Sequence, residues 1–145
     1  MSVKVHHTAF CPADFGASLR FYIDGLGFEQ IFDERFEGDW PALFAAPSNR
    51  LRSVFLGDPA DQSGGILELV SFDEQASPAA NRSVNLSAGF FLVSLYCDLD
   101  STLDRLAEIG LVPETRITVH GVGMAVVRDP DGTRVELIDL PPSKA

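Results

Sequence analysis

Two short stretches, "ILELV" at 66–70 and "RVELID" at 134–139, each set a glutamate inside an apolar run of β type. Side chains alternate along a strand, so Leu67 and Leu69 oppose Ile66, Glu68 and Val70, while Val135 and Leu137 oppose Arg134, Glu136 and Ile138. A solvent-washed face would carry more charge than Ile66, Val70 and Ile138 supply. The two glutamates are therefore either ordinary surface-strand residues or acids aimed into an enclosed space. In "VKVHHTAF", His7 shares a face with Val3, Val5, Ala9 and Cys11, whereas His6 shares one with Lys4, Thr8 and Phe10. His7 is either a hydrogen-bonded core residue or a ligand. Two carboxylates and an imidazole in one cleft would shift one another's protonation, but around a divalent ion they balance its charge. Such a centre polarises a substrate oxygen. Glu68, released from the metal, or His120 would then take the proton beside the chelated carbonyl, although His120, just ahead of a Gly-rich bend, reads equally as a replacement ligand or an exposed loop residue.

The elements that position these residues repeat. The run at 3–10 reads as a strand stopped by Pro12, and Asp14 suits the N-cap of a helix in "FGASLRFYIDGLGF", with Phe15, Leu19, Tyr22 and Ile23 as its apolar stripe. "FEQIFDERF", "LRSVFLGD" and "GGILELVSF" read as three strands, with "EGDWPALFAAPSN" as an irregular or short helical insertion. After a polar stretch the pattern restarts with the strand "GFFLVSLYCDLD". A helix in "STLDRLAEIGLVP" follows, with Ser101 as cap and Leu103, Leu106 and Ile109 as stripe. "ETRITVH", "GMAVVRD" and "TRVELIDL" supply three more strands, the last two joined by the turn "DPDG". The order is βαβββ twice, and Glu68 and Glu136 hold matching places. The predicted fold is α+β, one domain over 1–145 with a module at 1–73, a linker at 74–87 and a module at 88–145, their curved mixed sheet enclosing a cleft.

Composition narrows the functions. A chain of 145 residues suffices for one domain, and a formal net charge of −10 with scattered basic residues opposes binding to nucleic acid or anionic lipid. No stretch approaches the roughly 20 apolar residues of a membrane span, so a cytoplasmic location is expected. Cys11 and Cys97, far apart and outside any CxxC pair, read as small buried hydrophobes.

"HHTAFCPADFGASLRFYIDGLGF" and "VVRDPDGTRVELID" resemble the opening and closing segments of the vicinal oxygen chelate superfamily, which includes glyoxalase I, bleomycin resistance proteins and extradiol dioxygenases. The resemblance covers nearly the whole chain and implies a divalent metal ion, whether Fe, Mn, Ni, Zn or Mg, held by His7, Glu68 and Glu136. The family's first-strand histidine precedes the helix-opening Asp by seven residues, which selects His7 over His6. The same count back from Asp98 reaches Phe91, where metal-binding members commonly carry His, Gln or Glu. Phe91 thus departs from the pattern and reads as a wall of an apolar or stacking pocket. By the same resemblance, Trp40, Phe44, Arg50 and Arg52 border the cleft, as an aromatic wall with a cationic anchor for substrate; Trp40 and Phe44 read equally as a dimer contact. The implied activity is that of a glyoxalase-like lyase or isomerase, or an oxygenase, acting on a small oxygen-rich metabolite through an enediolate-like intermediate. The other reading is a metal-free small-molecule binder of the bleomycin-resistance type. A homodimer is implied in either case.

Overall fold

The computed structural model describes residues 2–73, 76 and 88–140, so the linker expected at 74–87 lies outside the described residues except for Ala76. The chain divides into two compact units, Met1–Leu19 with Phe28–Pro78 and Arg20–Gly27 with Ala79–Ala145. Each unit is built on one four-stranded mixed sheet. The βαβββ order predicted for each half is present.

In the first unit, β1 (His7–Phe10), β2 (Glu29–Glu37), β3 (Arg50–Gly57) and β4 (Ile66–Phe72) lie in the order β1-β4-β3-β2. β1 runs parallel to β4, and the other pairs are antiparallel. Alternation gives the sheet two unlike faces. Val54, Leu56, Leu67 and Leu69 are buried on the face against which α1 (Phe15–Leu19) packs. Cα pairing places Phe32, Ser53, Phe55, Ile66 and Glu68 together on the other face. The first strand starts four residues later than the alternation at Val3 suggests. Its partner β4 begins at Ile66, opposite His7, so Val3 and Val5 have no strand to pair with and are exposed. Cys11, beyond the end of β1, is exposed as well, and Cys97 is partly so; neither is the buried hydrophobe expected.

The first helix opens as predicted, with the Asp14 carboxylate accepting from the Ala17 amide at 3.0 Å. Beyond Leu19 it widens into a π-helical turn, Arg20–Gly25. A π-turn takes up an extra residue and rotates the stripe, so Ser18, Phe21, Tyr22 and Gly25 are buried in place of the expected pattern at Phe15, Leu19 and Ile23.

In the second unit, β5 (Val93–Cys97), β6 (Thr115–Val119), β7 (Val122–Arg128) and β8 (Arg134–Asp139) repeat the arrangement as β5-β8-β7-β6, again with the first and last strands parallel. α3 (Leu99–Glu108) is capped by Asp98, not Ser101: the Asp98 carboxylate accepts from the Ser101 amide at 3.1 Å, and these bonds hold it below the usual carboxylate range. Starting earlier, the helix buries Leu99, Thr102 and Leu106. The π-turn crosses α3 closely. A Cβ on Gly25 would lie 2.8 Å from Leu106 Cδ2, so a side chain there would push the two segments apart. Arg105, in the last turn of α3, donates to the carbonyls of Gly25 and Leu26 at the end of the π-turn.

Candidate functional site

In the first unit His7 and Glu68 come together because β1 and β4 are parallel neighbours, with His7 opposite Ile66 and Ala9 opposite Glu68. His7 Nε2 lies 3.6 Å from Glu68 Oε1. The other Glu68 oxygen accepts a hydrogen bond from the Ser53 hydroxyl on β3, and the side chain is 16 % exposed. His7 is the more open, at 37 %, and its Nδ1 lies 2.8 Å from Nδ1 of His6. Phe55 stands beside the imidazole with ring centroids 5.2 Å apart and stacks on Phe32 at 4.4 Å. The site is thus an acid and an imidazole on an aromatic floor.

In the second unit Glu136 sits on β8 between Ser94 and Val126, and Ser94 Oγ donates to its Oε1 at 2.8 Å. It lines a cavity of about 270 Å³ on the open face of the sheet. Both family-type glutamates are therefore held by a serine hydroxyl, Ser53 in one unit and Ser94 in the other. Sequence reading missed these serines because a cross-strand neighbour is visible only once the register is known. Register also moves the departure from the ligand pattern by one residue. Ala9 pairs with Glu68 and Ser94 with Glu136, so the counterpart of His7, two residues earlier, is Leu92 and not Phe91. Phe91 lies outside β5, and its ring carries the Arg134 guanidinium 4.3 Å above it.

The remaining predicted site residues are placed elsewhere. Arg52, the expected substrate anchor, is on the helix-covered face, opposite to Ser53, Phe55 and Glu68. It is already engaged: Nε and Nη2 donate to both Asp33 oxygens at 2.9 and 2.7 Å, and the guanidinium stacks over Phe15. Arg52 bonds hold the Asp33 carboxyl below its ordinary range. Trp40 and Phe44 stack on each other within α2 (Trp40–Phe44), a short helix with no buried residue, at a centroid distance of 5.8 Å. His120 occupies the tip of the β6–β7 hairpin with φ of 50°, exposed. The hairpin ends at Val122, so His120 lies about 13 Å of strand beyond Val126, the partner of Glu136. The arrangement does not bring it to that glutamate.

The sequence profile of the Glyoxalase/Bleomycin resistance protein/Dioxygenase superfamily matches residues 4–137. The chain belongs to that superfamily. A lactoylglutathione lyase-like protein of Aspergillus terreus is 35 % identical over 148 aligned positions, which span 94 % of this chain and 75 % of the relative. A glyoxalase family protein from Bacillus cereus has the same fold, with a TM-score of 0.68 at 17 % identity over 94 % of this chain and 92 % of that one. An antibiotic-binding protein from Streptomyces also shares it, with a TM-score of 0.64 at 19 % identity over 97 % and 99 % of the two chains.

The implied metal can be tested against the donors present. Ligands about 2.1 Å from a divalent ion sit roughly 3.0–3.4 Å from one another at octahedral to tetrahedral angles. The nitrogen-to-oxygen distance of 3.6 Å between His7 and Glu68 lies just outside that range, so the pair fits a two-donor chelate once the two side chains close slightly. Among the described residues no group of three or more His, Cys, Asp or Glu side chains is gathered for a metal.

Proposed function

We propose that the chain is a lyase or isomerase of glyoxalase type that binds a divalent ion through His7 and Glu68 and acts on a small oxygen-rich metabolite. The observation that carries this reading is the His7–Glu68 pair at 3.6 Å, with the second Glu68 oxygen tied to Ser53. A bound ion would polarise a substrate oxygen and favour the oxyanion formed when a neighbouring proton leaves. Glu68, once released from the ion, would take that proton at Oε1, the oxygen that faces His7, while Ser53 holds Oε2 and keeps the carboxylate from turning away. Phe32 and Phe55 exclude water beside it and offer a flat surface to the substrate. The name of the Aspergillus relative makes a lactoyl thioester of glutathione the first compound to assay.

Titration with Mn²⁺ and Ni²⁺ after chelator treatment, read by calorimetry and elemental analysis, tests the proposal. One ion per chain at micromolar affinity, weakened at least tenfold in Glu68→Gln and His7→Ala, is the expected result. No stoichiometric binding of any divalent ion would remove this reading and favour a metal-free binder. That second reading is supported by Leu92 at the place matching His7 and by the Phe32–Phe55 stack. Light scattering tests the proposed homodimer, which a monomer at tens of micromolar would refute.

A further inference from the structure

We infer that the cavity on the open face of the second unit is a carboxylate pocket, in which Arg134 takes the acid group of a small ligand with an apolar body. The cavity is lined by Ile117, Met124 and Val126 together with Arg128, Arg134 and Glu136. Arg128 and Arg134 are Cα partners across β7 and β8, so both guanidinium groups rise from the same face. Like charges in directly opposed positions destabilise a sheet unless something answers them. Arg128 is answered: its Nε lies 3.2 Å from Glu114 Oε1, and its Nη1 donates to the Gly132 carbonyl. Among the described residues no carboxylate lies within ion-pair range of Arg134.

Phe91 holds Arg134 instead. Its ring lies 4.3 Å from the guanidinium carbon and its carbonyl accepts from Nη1 at 3.3 Å. Those contacts fix the fork while Nε and Nη2 keep no acceptor among the described residues. A cation fixed in place on an apolar floor loses little freedom on binding, and a guanidinium matches a carboxylate with two parallel hydrogen bonds.

Charge sets the class of ligand. Two arginines face two glutamates, Glu114 and Glu136, so the lining balances and a single negative charge is the most that Arg134 compensates. A monocarboxylate fits that balance better than a phosphate dianion. At about 270 Å³ the space lies below the roughly 300–1,000 Å³ of drug-sized ligands, which limits the body to a short chain or one small ring. Repulsion from Glu136 orients the ligand with its acid at Arg134 and its neutral end toward the glutamate. The pocket stands on the second unit's own residues, and the inference rests on the proposed function only for what happens next to Glu136.

The test is a ¹H–¹⁵N NMR titration of the full chain in chelator-treated buffer with isovalerate, isovaleramide and inorganic phosphate. Isovalerate is expected to shift the amides of Val126 and Arg134 and to saturate in the low millimolar range. The neutral amide and phosphate should each bind at least tenfold more weakly. Arg134→Gln should weaken isovalerate at least tenfold, Arg134→Lys should recover part of the loss, and Asp33→Asn, in the first unit and outside any proposed site, should leave binding unchanged. Equal binding of isovaleramide, stronger binding of phosphate, an unaffected Arg134→Gln variant or no saturable response would each overturn the inference. Carboxylate binding that persists in a protein without metal affinity defeats only the metal-dependent function. Metal binding without a carboxylate response defeats only this pocket.

Discussion

Tyr22 is wholly buried, and its hydroxyl donates to Asp129 at 2.8 Å inside the second unit. The "DPDG" turn, which by sequence is only a connector, thus carries a buried carboxylate that also accepts from the Asp131 and Thr133 amides. Burial, reinforced by Asp129, pushes the Tyr22 phenol far above its ordinary range, so it remains a donor at any working pH. Tyr22→Phe removes one of three donors to Asp129 and should cost about 1.5–3 kcal/mol, measured by urea unfolding. Asp33 makes a different prediction. Its folded pKa is depressed by the Arg52 hydrogen bonds, so its stabilisation is full above the unfolded value near 4 and is lost as pH falls through the lower folded value. Asp33→Asn should therefore destabilise the chain slightly at pH 7, by less than about 1 kcal/mol for so open a pair, and the gap to wild type should close as pH falls below the ordinary carboxylate range, read by urea unfolding across pH. A gap that does not change with pH would contradict the assignment.

Among the elements, the β6–β7 hairpin separates a chemical from a conformational role for His120. His120 and Gly121 form its two-residue loop with φ of 50° and 79°, the left-handed pair that matches sheet twist. Nothing lies within 4 Å of the Gly121 Cβ position, so Gly121→Ala meets only backbone strain and should cost about 1–2 kcal/mol. His120→Asn, which tolerates the same conformation, should leave both unfolding and turnover unchanged; a large loss of turnover would restore His120 as an acid or base. Local patterns made the elements themselves legible. Alternation marked the strands, and Asp14 marked a helix start that the structure keeps. What depends on register or helix widening was hidden. Arg52 alternates with Ser53, but only the pairing of Phe55 with Glu68 tells which face holds the acid. Counting from Asp98 gave Phe91 because the connection from strand to helix is one residue shorter in the second half, and pairing corrects it to Leu92. The π-turn leaves no mark in an apolar pattern that reads as an ordinary helix.

For the molecule as a whole, the repeat in sequence is not the division in space. Read along the chain, the second module is 88–145, yet the second compact unit also contains Arg20–Gly27. That segment supplies Phe21 and Tyr22, at 1 % and 0 % exposure, the Tyr22 bond to Asp129, and the carbonyls that Arg105 caps. Burying two aromatic side chains contributes roughly 3–6 kcal/mol, and loss of the Asp129 donor adds about 1.5–3 more. Set against a total of about 5–15 kcal/mol for a domain, a chain that lacks these residues falls to the margin of stability or below it. A fragment of residues 88–145 should therefore show a collapsed ¹H–¹⁵N spectrum and no cooperative thermal transition. The same fragment with residues 20–27 joined through a flexible linker should regain dispersion in the amides of Asp129, Asp131 and Thr133. If the bare fragment folds cooperatively, the π-turn segment is only packed against a self-sufficient module. If it does not, the chain threads one short piece of its first half into its second, and a site on β8 depends on residues more than a hundred positions away.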